Sequence, residues 1–191
     1  MKKLILAIAL MSSFVAAQAQ TELKINPLGL LFLSPDLSAE FAVSEDIGIE
    51  PTVGVSFLKL KVDQESLKST GLSYGVQGKY YFNPDKGIDK FYAGIYLRGG
   101  NSTFTSSTAG DNDKLTQNKL GLGLALGYKW VSQKNVVFEL GGGLGRKLFN
   151  KFEVESGTTN LADVPILNFD GFFRFSVGYR FGGDGGSSRR K

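Results

Sequence analysis

The stretch 169–181, FDGFFRFSVGYRF, alternates over its whole length. One face carries Phe169, Gly171, Phe173, Phe175, Val177, Tyr179 and Phe181, and the other Asp170, Phe172, Arg174, Ser176, Gly178 and Arg180. A period of two predicts a β-strand with one greasy side and one mostly polar side. At roughly 3.3 Å per residue the strand reaches about 40 Å, enough to cross a bilayer core of about 30 Å even when tilted. The buried face of a soluble barrel rarely holds two arginines. The pattern therefore predicts lipid outside and a polar interior.

Seven further segments carry weaker forms of this alternation. Residues 23–33 set Leu23 and Ile25 against Lys24 and Asn26, but beyond Pro27 both faces are apolar, so the phase is open and Pro27 suggests a bulge. Residues 37–43 point Leu37, Ala39, Phe41 and Val43 one way and Ser38 and Glu40 the other. Residues 47–57 set Ile47, Ile49, Val53, Val55 and Phe57 against Gly48, Glu50, Thr52, Gly54 and Ser56, with Pro51 fitting poorly. Residues 71–82 set Leu72, Tyr74, Val76, Tyr80 and Phe82 against Ser73, Gln77 and Lys79. Residues 91–99 oppose Phe91, Ala93, Ile95 and Leu97 to Tyr92, Tyr96 and Arg98. Residues 120–130 place Leu120, Leu122, Leu124, Leu126, Tyr128 and Trp130 opposite three glycines, Ala125 and Lys129. Residues 136–146 place Val136, Phe138, Leu140 and Leu144 opposite Glu139 and more glycine.

The connections alternate as well. Those after the second, fourth and sixth strands are short, the fourth ending in the turn-rich Asn83-Pro84-Asp85-Lys86-Gly87. Those after the third, fifth and seventh (58–70, 101–117 and 147–167) are long and read as loops. Short turns at one end and long loops at the other are the habit of outer-membrane barrels, the short first connection excepted. If the first strand runs outward, the inner strand ends gather Phe41, Tyr80, Phe82, Phe91, Tyr128, Trp130, Phe138, Tyr179 and Phe181 at one rim. Amphipathic rings favour the headgroup level, so these nine are expected as membrane-interface aromatics. The predicted fold class is all-β: an eight-stranded antiparallel up-and-down transmembrane β-barrel with a polar, side-chain-filled interior.

Composition sharpens this picture. Lys2 and Lys3, the apolar run 4–10 and Ala17-Gln18-Ala19 read as an export signal, so residues 1–19 are expected to be a signal peptide, 20–182 the barrel and 183–191 a flexible Gly/Ser tail. No later run approaches the length of a membrane-spanning helix. An exported chain of this kind is a soluble domain or a barrel, because only helices and closed barrels satisfy their backbone in lipid. The sequence has no Cys and no His, which removes disulfides, thiolate metal sites and the usual general base. The net charge of +4 includes Lys2, Lys3 and the terminal Arg189, Arg190 and Lys191, and nucleic-acid binding has no support without them.

The candidate chemistry lies inside. Glu40, Glu50, Lys79, Arg98, Lys129, Glu139, Arg174 and Arg180 share the inward face. Eight strands leave a bore that side chains just fill, so these charges must pair. A salt-bridged plug is the reading favoured over an ion path or a catalytic centre, since structural ion networks gather charge in the same way. The glycine runs at 121–123 and 141–143 miss the dinucleotide fingerprint, having Leu126 and Arg146 where glycine is required. Asn101-Ser102-Thr103 is a weak glycosylation pattern, and Asp111 and Asp113 could offer oxygens to calcium but read as solvated loop charge. No cofactor or metal site is expected.

The motifs Lys24-Ile25-Asn26-Pro27-Leu28-Gly29-Leu30, Gly78-Lys79-Tyr80-Tyr81-Phe82 and Val177-Gly178-Tyr179-Arg180-Phe181 run through nearly all of the mature chain. With them the chain resembles the small eight-stranded outer-membrane β-barrel proteins of Gram-negative bacteria, of OmpA/OmpX-like architecture, especially an exported barrel family common in Bacteroidetes. Its end is similar to the terminal signal read by the barrel-insertion machinery: Arg174, Tyr179 and Phe181 match, while Ser176 stands where glycine is usual. The resemblance implies a monomer in the cell outer membrane, with lipid and the insertion machinery as partners and an unidentified surface partner. The expected function is non-enzymatic, in envelope integrity or surface interaction through the outer loops. The alternatives are a soluble lipocalin-like carrier with its faces reversed, a narrow porin-like channel, and a lipid-modifying enzyme using Glu139.

Overall fold

The computed structural model describes residues 20–62, 65–108, 111–154 and 168–182. Eight strands, β1 (Thr21–Ile25), β2 (Asp36–Ala42), β3 (Ile47–Val62), β4 (Glu65–Tyr81), β5 (Lys90–Thr108), β6 (Asp111–Val131), β7 (Val136–Val154) and β8 (Phe169–Phe181), close into a barrel in chain order. Every neighbouring pair is antiparallel, and the seam joins β1 to β8, from Thr21 opposite Phe181 to Ile25 opposite Val177. The expected signal peptide and the tail 183–191 lie outside the described residues, as do 155–167 of the third long loop.

The alternation of each strand decides which way the wall faces. Leu124 is 70% exposed, Phe173 67% and Ile95 62%, whereas Glu40 and Glu50 are fully buried. The chain is thus an eight-stranded transmembrane barrel whose apolar side chains point outward and whose polar ones fill the bore. No described helix is long and apolar enough to cross a membrane, and the crossing is made by strands. The lipocalin-like alternative fails on this point. It needed Leu122, Leu124, Phe173 and Phe175 around a central cavity with Arg174 in water, and the Arg174 side chain is only 12% exposed.

Tyr80, Phe82, Phe91, Tyr128, Trp130, Phe138, Tyr179 and Phe181 all stand exposed at the short-turn end, while Phe41 is half-buried. Their rings touch in neighbouring pairs, Tyr80 with Phe82 at 5.0 Å, Tyr128 with Trp130 at 4.6 Å and Tyr179 with Phe181 at 5.0 Å. Toward the opposite end stands a second exposed set, Phe57, Tyr74, Phe149 and Phe169, of which the sequence analysis put the first two and the last on apolar faces without gathering them into a girdle. Phe138 to Phe149 and Phe181 to Phe169 span roughly 36–40 Å of strand, about 25–30 Å of height after a tilt near 40°. That matches the apolar band of about 25 Å between the two girdles of a membrane barrel.

Two local readings are corrected. The first strand ends at Ile25, and Pro27 makes no bulge; it opens the one-turn helix α1 (Pro27–Leu31). Asn26 caps it, its Oδ1 accepting from the Gly29 amide at 3.0 Å, and proline is pre-set for the first helical position. Gly29 is required there because a Cβ would run into the Ser34 carbonyl. The chain after α1 then serves as a substitute wall above short β2: the Val55 amide donates to Pro35 O at 3.0 Å and that of Phe57 to Leu33 O at 2.9 Å. Secondly, the long loops 58–70 and 101–117 are mostly strand. β3 pairs with β4 out to Val62 opposite Glu65, and β5 with β6 out to Thr108 opposite Asp111. β7 likewise continues to Val154. Above the bilayer neither face of a hairpin need be apolar, so the ladder persists where alternation stops. Pro51 does lie within the strand expected for it, on the exposed face of β3, and its poor fit shows where the β2–β3 ladder breaks between the pairs Ser38–Thr52 and Phe41–Ile49.

Inside, β6 and β7 contribute glycines where β5 contributes tyrosines. Gly127 pairs with Gly141, and a Cβ on either would fall on the Tyr92 hydroxyl. Gly127→Ala is therefore expected to lower stability by about 1–3 kcal/mol, as overpacking does. The outward Leu126→Val should leave the unfolding midpoint in detergent nearly unchanged, and equal midpoints for both variants would refute the packing argument.

Candidate functional site

The bore has three layers. At the short-turn end the connection 82–89 folds inward. Ile88 is fully buried against Tyr81 and Tyr92, and Arg180 donates to Ile88 O at 3.0 Å and to Lys86 O. Asp89 Oδ1 accepts from the Asp85 and Lys86 amides at 2.7 and 3.2 Å, and Gln20 Nε2 reaches Lys86 O at 3.2 Å. This end is closed.

The middle layer is an ion cluster. Lys24 Nζ bonds Glu40 at 2.5 Å, Glu139 at 2.5 Å and Glu50 at 2.9 Å. Lys79 Nζ bonds Glu139 at 2.5 Å and Glu40 at 3.1 Å, and also Glu50. Lys129 Nζ joins Glu40 at 2.7 Å to Glu22 at 2.8 Å, and Glu22 in turn takes Arg180 at 2.5 Å. Arg174 caps the cluster through Glu50 and Thr52 Oγ1, the latter at 3.2 Å. Two tyrosines complete it: Tyr81 donates to Glu40 at 2.5 Å and Tyr92 to Glu139 at 2.8 Å. Their rings also lie 4.6 Å from the ammonium groups of Lys129 and Lys79. All eight strands contribute, and each lysine and glutamate here is at most 2% exposed. Isolated, each charge would cost several kcal/mol; joined, they satisfy one another.

The oxygens of Glu40, Glu50 and Glu139 come within 4.8 Å of one another, a spacing that would suit an oxygen-bound cation. Lys24 and Lys79 already sit on all three carboxylates, so the positive charge is supplied by the chain itself.

The third layer, at the hairpin end, is a bowl of about 430 Å³. Arg174, Gln77, Arg98 and Lys119 line it, together with Ser34 and Asn26 flanking α1. Arg98 Nη2 bonds Asp170 Oδ1 at 2.8 Å and Gly171 O at 3.0 Å, and its guanidinium lies 5.3 Å from the Phe172 ring. Tyr96 meets the same ring edge-on at 5.0 Å.

Of the interior charges read from sequence, Glu40, Glu50, Lys79, Lys129, Glu139 and Arg174 come together in the cluster, Arg180 joins through Glu22, and Arg98 stands apart in the bowl. The sequence reading did not single out Glu22, Lys24, Tyr81, Tyr92 or Asp170. Each carried the signal, being spaced by two from an assigned inward residue or, on β1, alternating with Leu23 and Ile25. The side chains of Asp111 and Asp113 lie outside the described residues. The glycosylation pattern at Asn101 falls within β5, where Asn101 Oδ1 accepts from the Leu72 amide at 3.2 Å.

No curated protein matches this chain. Among solved structures, Ail, the attachment invasion locus protein of Yersinia pestis, is similar in fold, with a TM-score of 0.56 at 11% identity over 86% of this chain and 99% of that one. The same protein in complex with the heparin analogue sucrose octasulfate is similar with a TM-score of 0.55, again at 11% identity over 86% and 99% of the two chains. At that identity the likeness concerns the fold. A family model matches residues 3–164, most of the sequence, and the chain belongs to the family described as Protein of unknown function (DUF3575).

Proposed function

We propose that this chain is an outer-membrane barrel that works by binding at its hairpin end, in surface interaction or envelope integrity, without conducting solutes and without catalysis. The observation that carries the reading is the sealed bore: fully buried Glu40, Glu50, Lys24, Lys79 and Lys129 span it, with Ile88 and Tyr81 stacked beneath. A path for ions would have to break several buried ion pairs at once, each loss costing about 3–5 kcal/mol. A lipid-modifying role for Glu139 is disfavoured because that carboxylate is 2% exposed and faces the bore, away from acyl chains. The strands that rise above the membrane, and the bowl they enclose, are what the molecule offers to its surroundings.

The outer membrane as location, export through residues 1–19, a monomeric state and assembly by the barrel-insertion machinery belong to the same proposal. The outward apolar band with its two girdles supports the membrane, and the matching fold of the attachment protein Ail supports a task at a cell surface. Purified protein in planar bilayers is expected to give no conductance steps, with Arg98→Ala no different. Ohmic openings in the unaltered chain would overturn the sealed-bore reading. Recovery in a periplasmic fraction without detergent would overturn the location.

A further inference from the structure

We propose that the bowl at the hairpin end is a binding site for a small hydroxylated solute bearing an oxyanion, an acidic sugar or a sugar phosphate. Three independent features of its lining converge on that class.

The first is a surplus of positive charge. Arg98 and Arg174 are already engaged, with Asp170 and with Glu50, and Arg174 also lies 3.9 Å from Asp36. Lys119 is not: among the described residues no carboxylate stands within ion-pair distance of it. It shares the lining of the bowl with the two guanidinium groups of Arg98 and Arg174. A half-buried ammonium with no carboxylate of its own, in a cavity lined by two further cations, is a place for an anion that the chain does not supply.

The second is an unused donor. Gln77 lines the bowl and is 6% exposed, and its Nε2 has no hydrogen-bond partner. A buried donor left without an acceptor is costly, and such groups are rare unless something completes them. A solute spanning the bowl could bring an oxyanion to Lys119, with a charge-assisted bond, and a second oxygen to Gln77.

The third is the rest of the wall. Ser56, Ser73, Ser102 and Thr52 offer hydroxyls, while the edge-on pair Tyr96 and Phe172 offers an apolar surface. Hydroxyls beside an aromatic face suit a sugar ring, polar at its edge and C–H-bearing on its faces. A volume of about 430 Å³ lies near the small end of ligand pockets, roughly 300–1,000 Å³, and holds one such unit. A metal cation would meet uncompensated lysine, and an apolar ligand would leave Gln77 and Lys119 without partners.

This inference rests on the hairpin end being the binding face. The test is isothermal titration of the full chain in detergent with glucose 6-phosphate, glucuronate, inorganic phosphate and glucose. Expected is saturable binding of glucose 6-phosphate or glucuronate, with whichever binds more tightly identifying the oxyanion. Glucose and inorganic phosphate should each bind about tenfold or more weakly. Lys119→Gln and Gln77→Leu should each weaken the acidic sugar about tenfold or more, the range of a charge-assisted bond. Binding of neither acidic sugar, equal binding of glucose or of inorganic phosphate, or indifference to both substitutions would overturn the proposal. Faster gel migration of unheated protein reports the closed barrel in every sample, and bilayer conductance reports the seal. Loss of the ligand is thereby separated from failure of the barrel reading.

Discussion

Glu40→Leu should lower the unfolding free energy by about 3–5 kcal/mol, the cost of breaking a buried ion pair from one side. Glu40 accepts from Lys24 at 2.5 Å, Lys79 at 3.1 Å, Lys129 at 2.7 Å and Tyr81 at 2.5 Å. Lys24 and Lys79 would keep Glu50 and Glu139, but Lys129 would be left with Glu22 as its one ion-pair partner among the described residues. The second substitution Lys129→Met should therefore recover part of the loss, because it removes the charge that the first one stranded. Urea unfolding from detergent, followed by emission of Trp130, the sequence's single tryptophan, measures both. A loss under about 1 kcal/mol for Glu40→Leu, the scale of an exposed pair, would mean that the cluster does not hold the bore together.

Leu124→Arg is expected to cost about 2–4 kcal/mol in folding into vesicles, the penalty for a cation on the lipid face near the bilayer midplane. Leu124 is 70% exposed and lies on the same face of β6 as Trp130 in the lower girdle. Six residues of strand separate them, about 20 Å along the strand and roughly 15 Å in height after tilt, half of a core about 30 Å thick. A water-facing wall would accept arginine at such an exposed position almost freely. The equilibrium between unfolded and vesicle-inserted protein is the measurement, and no change in it would place Leu124 out of lipid.

The lipid-facing side was legible wherever one face of a strand had to be apolar along its length. Leu120 to Trp130 and Phe169 to Phe181 show it most plainly, and from them follow the antiparallel barrel and the inward turn of Lys129 and Arg174. Legibility stopped where that constraint stops. The hairpin extensions beyond Phe57 and Gly100 have no bilayer to sort their two faces, so Ser/Thr-rich strand looks like loop. β1 is only five residues long, too short for period two to fix its phase, so Lys24, set opposite Leu23 and Ile25, and Glu22 were not counted among the interior charges although they sit at the heart of the cluster. The helix at Pro27 was written in the sequence as Asn-Pro, a cap followed by the first helical position, but it competed with an expected strand bulge. Which cations would meet which carboxylates was not readable. That depends on how far each strand is staggered against its neighbour, and no face pattern records stagger.

The strand that opens the barrel is short and has little ladder on either side. β1 meets β8 over Thr21–Ile25 alone, whereas β5 and β6 run side by side from Lys90 opposite Lys129 to Thr108 opposite Asp111. Yet Lys24 reaches from β1 across the hollow to β2, β3 and β7, and Glu22 clasps Arg180 of β8. The weak joint is riveted from within. Peeling the first strand away would require drawing two charged pegs out of a dry centre, so the cylinder should come apart as a whole instead of unzipping from its end.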